Sequence, residues 1–110
     1  MASVTYKFTT QASTNLQAVR AGQVGNLTSI SIANVATAIY VKLYWTNTTP
    51  TVGTTVPAYT MGAAASANVN LTYTSPLTGN GQLWVAVTAA AADGDSGNAA
   101  SGAVVTLGLE

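Results

Sequence analysis

The sequence predicts an all-β domain, an antiparallel two-sheet sandwich or jelly roll of about eight short strands. Three observations predict it. Apolar residues recur with period two, the alternating segments are rich in β-branched and aromatic residues, and the breaks between them are rich in Gly, Pro, Asn and Thr. No segment carries a capped apolar stripe at helical spacing. The run Ala89–Ala92 has helix propensity, but it is short and ends at "DGDSG".

The segments follow in order. "SVTYKFTT" sets Val4, Tyr6 and Phe8 against Thr5, Lys7 and Thr9. "LQAVR" is a weaker candidate. "NLTSISIANV" alternates Ser29 and Ser31 with Ile30 and Ile32. "AIYVKLYW" places Ile39, Val41, Leu43 and Trp45 opposite Tyr40, Lys42 and Tyr44, and "PAYTMG" is again weak. "NVNLTYT" offers Val69, Leu71 and Tyr73, "GQLWVAVT" offers Leu83, Val85 and Val87, and "GAVVTLGLE" offers Val105, Leu107 and Leu109. Turns are expected at "AGQVGN", "TNTTPTVGTTVP", "GAAASAN", "TSPLTGNG" and "DGDSGNAASG". The predicted core is Ile30, Ile32, Ile39, Val41, Leu43, Leu71, Val85, Val87 and Leu107.

The chain's 110 residues suit one domain, residues 1–110, with a core of useful size. Hydrophobic residues make up 48%, yet only 5% are charged, against about 25% in ordinary domains. Lys7, Arg20, Lys42, Asp93, Asp95 and Glu110 cancel to a net charge of zero. Such a chain lacks the basic stripe that nucleic acid requires and the basic patch that anionic lipid requires. No apolar run reaches membrane-spanning or signal-peptide length, so synthesis in the cytosol as a soluble protein is expected.

Neither histidine nor cysteine occurs, which removes the Ser-His-Asp triad, the thiol nucleophile and the usual zinc ligands. The close carboxylate pair, Asp93 and Asp95, lies in one loop, and "GNGQ" lacks the phosphate-binding pattern. No enzymatic activity, catalytic residue or cofactor is expected. "DGDSGN" resembles a calcium loop superficially, but without further acids it reads as a turn, and no metal site is expected. The sequons at Asn26, Asn47 and Asn70 are what chance gives in a chain rich in Asn and Thr.

One stretch stands apart. "AIYVKLYW" carries large side chains on both faces, although a sandwich strand needs only one face for the core. Two readings follow. Tyr40 and Tyr44 are partly exposed rings flanking Lys42, covered by a loop such as Thr46–Pro57, or they belong to a contact surface with a partner chain. The candidate partner-binding residues are Tyr40, Tyr44, Trp45, Thr48 and Thr49.

The stretch "NLTSISIANVATAIYVKLYWTNTTPTVGTTVPAYTM" and the ending "GQLWVAVTAAAADGDSGNAASGAVVTL" resemble segments of small structural proteins of tailed bacteriophages. The likeness spans most of residues 24–107, and Trp45 departs from the pattern at a position where a polar loop residue is expected. It implies a virion component, made in the host cytoplasm. The leading expectation is a capsid decoration (cement) protein that binds the major capsid protein, and the alternative is a tail or fibre protein meeting host glycans. A homo-oligomer, a trimer for preference, is expected, with no nucleic-acid or membrane partner.

Overall fold

The computed structural model describes residues 4–24, 26–34 and 37–110. It contains eight strands and no helix among the described residues: β1 (Val4–Thr9), β2 (Gln17–Val24), β3 (Leu27–Ala33), β4 (Ile39–Trp45), β5 (Tyr59–Ala63), β6 (Asn68–Leu77), β7 (Gln82–Thr88) and β8 (Val104–Leu109). Both weak candidates are strands, β2 and β5. The turn expected at "AGQVGN" starts later than predicted, since β2 runs through Ala21, Gly22 and Gln23 to Val24. Gly25, within that turn, lies outside the described residues.

Two four-stranded sheets form, in the orders β1-β8-β3-β6 and β2-β7-β4-β5. Strands pair antiparallel as β1 with β8, β2 with β7, β3 with β6 and β4 with β5. The chain is therefore one long hairpin, with its tip at the β4–β5 connection, wound onto itself. The contacts β3–β8 and β4–β7 then close each sheet. This is the strand order of a jelly roll, so the predicted sandwich is the fold observed.

Period two delivers the core. Paired residues of antiparallel strands share a face, so Ile30, Ile32, Val105 and Leu107 of one sheet meet Ile39, Val41, Leu43, Val85 and Val87 of the other, all 0 to 1% exposed. Buried amides and hydroxyls pin the connections to this core. Asn34 Nδ2 donates to the carbonyls of Thr37 and Ala64 at 2.9 and 3.0 Å. Thr10 Oγ1 donates to the Ala100 carbonyl at 2.8 Å and accepts from the Ala103 N–H at 3.0 Å.

One predicted core residue is corrected. Leu71 is 41% exposed. It faces inward as predicted, paired with Ile30, but β6 is the edge strand of its sheet, with no strand beyond it among the described residues. Leu43→Ala should therefore lower stability by about 2–5 kcal/mol, while Leu71→Ala should cost less than about 1 kcal/mol. Denaturant melts of both variants test this; equal losses would contradict the edge placement.

Candidate functional site

β4 is the strand with large groups on both faces, and the structure shows what each face meets. Ile39, Val41 and Leu43 enter the core. Lys42 and Tyr44 point to the outer side of the second sheet, yet they are 0% and 2% exposed. The segment 89–97 accounts for this. It leaves β7 at Thr88, closes through the Thr88–Asn98 bridge and folds back over the sheet.

Lys42 fastens it. Its Nζ donates to the Ala92 carbonyl at 2.7 Å and the Asp95 carbonyl at 3.1 Å. Burying an ammonium is costly unless hydrogen bonds satisfy it, and here backbone carbonyls do so. The loop is braced further from within. The Ala89 N–H donates to the Gly97 carbonyl at 3.1 Å, the Asp95 N–H to the Ala92 carbonyl at 3.0 Å, and the Ala90 N–H to Asp95 Oδ2 at 3.1 Å. The segment that superficially resembles a calcium loop thus directs two carbonyls at an internal ammonium. A metal cation placed there would meet like charge. No cluster of three or more His, Cys, Asp or Glu forms among the described residues.

The hairpin tip, residues 46–58, lies beside this loop. At Gly53, φ is +92°, and a Cβ there would stand 3.1 Å from Ser96 Cβ, so only glycine suits both the backbone and the contact. The Trp84 indole N–H donates to the Thr46 carbonyl at 3.0 Å, and the Ala58 N–H donates to the Leu43 carbonyl at 2.8 Å. Together the two loops cover the middle of the outer face of the β2-β7-β4-β5 sheet, burying Lys42, Tyr44, Ala86 and Thr88, while Thr60 and Gly62 of β5 remain exposed.

The predicted partner-binding set is divided by this arrangement. Tyr44 is 2% exposed beneath the 89–97 segment, deeper than the partly exposed ring expected under a loop such as Thr46–Pro57. Tyr40 is half-buried, with its ring over Gly62. Trp45 points to the opposite face of β4, where it packs on Gly79 and meets Tyr59 edge-on at 5.9 Å between ring centroids. Thr48 and Thr49 are exposed on the hairpin tip. These residues do not form one surface.

The other sheet is open. Its outer face is a ladder of small polar side chains in register. One rung reads Lys7, Thr106, Ser31 and Asn70 across β1, β8, β3 and β6, and the next reads Thr5, Gly108, Ser29 and Thr72. All are half-buried or exposed. Ser31 Oγ donates to Asn70 Oδ1 at 2.6 Å. The alternation of β1 and β3 already showed these residues to be outward-facing. Which of two polar faces would stay uncovered depended on where 89–97 folds, and no local signal carries that. No family model matches the chain, and neither the curated proteins nor the solved structures contain a match to it.

Beneath the cover, the Tyr44 hydroxyl is buried without a hydrogen-bond partner. Its pKa is raised by burial and then by the Asp93 charge. A raised phenol pKa means stability that is complete below the unfolded value of about 10 and is lost as pH rises through the folded value. Stability should therefore fall in the alkaline range above about pH 10. Tyr44→Phe should reduce that fall and, at neutral pH, match or exceed the parent by up to about 1 kcal/mol, since an unpaired hydroxyl is removed. A loss above about 1 kcal/mol at neutral pH would mean that the hydroxyl holds a partner.

Proposed function

We propose that this chain is a virion structural protein of a tailed bacteriophage, a capsid decoration protein that binds the major capsid shell and reinforces it. The observation that carries this reading is the asymmetry of the sandwich. One outer face is covered by loops over its central strands, and the other is an open, almost uncharged sheet of hydroxyls and amides. Such a face offers hydrogen bonds while burying few ions, and interface cores are depleted in charge for that reason. Modest contacts of this kind become strong when repeated over a symmetric shell. The resemblance of residues 24–107 to phage structural proteins supplies the setting. Jelly rolls build viral capsid domains and lectins alike, so the strand order is compatible with the role without assigning it.

A tail or fibre protein touching host glycans is the second reading. What favours it is the 42% exposed Tyr59 beside Trp45 at one edge of the sandwich, since exposed rings are natural stacking platforms.

Particles of the encoding phage, prepared without this chain, test the proposal. The purified protein should rebind their capsids, and electron microscopy should place it on the shell. Ser31→Arg, on the open face, should weaken rebinding at least tenfold while the fold is unchanged. Tail location would favour the second reading, and absence from particles would defeat both.

A further inference from the structure

Both sheets end in exposed strand edges, and natural sandwiches guard such edges against pairing. Three of the four edge strands here are guarded in recognisable ways. β1 carries Lys7, β2 has an irregular register between Val19 and Val24, and β5 spans only five residues. β6 is different. It is ten residues long and without a charge, its stretch Asn68–Thr72 pairs with β3 in unbroken register, and both its register shift and its proline, Pro76, lie beyond Thr72.

The apolar side chains beside this edge are also incompletely covered. Leu71 of β6 and Tyr59 of β5 both face the gap between the sheets, since they pair with Ile30 and Leu43, yet they are 41% and 42% exposed. Tyr73 reaches across the same gap, its hydroxyl 3.7 Å from Met61 Sδ. An unguarded backbone edge and a half-open apolar seam therefore coincide.

We infer that β6 pairs with β6 of a second copy of this chain, antiparallel about a two-fold axis at Leu71, so that two four-stranded sheets become one continuous sheet. The occupant follows from charge and pattern. In a two-fold pairing, residues near the axis meet their own copies, so any charge there would repel itself; β6 has none. With Leu71 on the axis, Val69 lies opposite the second copy's Tyr73, and Asn70 opposite its Thr72. Apolar thus meets apolar on the inner face, and polar meets polar on the outer. The same operation brings the two β5 strands near each other and covers Tyr59. The resulting pair is a dimer, where the sequence reading preferred a trimer, and it does not depend on the proposed virion role.

Analytical ultracentrifugation of the parent and of two charge variants decides the matter. The parent should sediment at twice the 11.0 kDa chain mass. Leu71→Lys and Leu71→Glu, each at a half-exposed position, should each sediment as monomers with unchanged far-ultraviolet spectra, their self-association weakened at least tenfold. Mixed in equal amounts, they should form dimers again, because only the mixed pair places opposite charges at the axis. If either variant unfolds, Thr72→Lys serves in its place and should likewise yield monomers. A monomeric parent, or dimers that survive the Leu71 and Thr72 substitutions, would overturn the inference.

Discussion

A single buried ammonium divides this sandwich into a closed side and an open one. Lys42 stands on the outer face of its sheet, where a lysine would ordinarily extend into water. Instead, the carbonyls of Ala92 and Asp95 hold it. That attachment lays the 89–97 segment across the sheet, and the hairpin tip meets that segment at Gly53. Tyr44 and Ala86 are consequently buried on a face that sandwich geometry alone would leave in water. The middle of the β2-β7-β4-β5 sheet is thus covered on both sides, although Thr60 and Gly62 of β5 stay exposed, and β4 can carry large side chains on both faces.

The open sheet follows as the complement. With the middle of one face covered, the broadest open surface lies on β1, β8, β3 and β6, where Thr, Ser and Asn stand in register. A chain with three basic and three acidic residues has little electrostatic means of selecting partners. Selection must then come from shape, hydrogen-bond register and strand pairing. Both proposed contacts, the polar face and the β6 edge, are of that kind. Neither requires a cofactor or a titrating group.

Much of this was legible in the sequence, and the misses share one cause. Alternation located the strands and the inward residues, because a period of two is a local property of backbone and side-chain direction. It could not rank the strands within a sheet. Leu71 has the pattern of a core residue, and only the position of β6 at the sheet edge leaves it 41% exposed. Tyr44 posed the converse difficulty. Its outward direction was readable, and so was the choice between a loop cover and a partner. What buries Tyr44 is a segment held by a lysine bound to carbonyls 50 and 53 residues further along the chain. Neither the sheet order nor that long-range bond leaves a trace in local spacing.

The division into closed and open sides can be measured through the two lysines. Lys7 lies exposed on the open sheet and Lys42 is wholly buried beneath the loop cover. Brief treatment of the native protein with an amine-acylating reagent, followed by peptide mass spectrometry, compares them directly. Lys7 should be modified readily and Lys42 only after unfolding. Modification of Lys42 in the native protein at a rate like that of Lys7 would contradict the covered face and the asymmetry built on it.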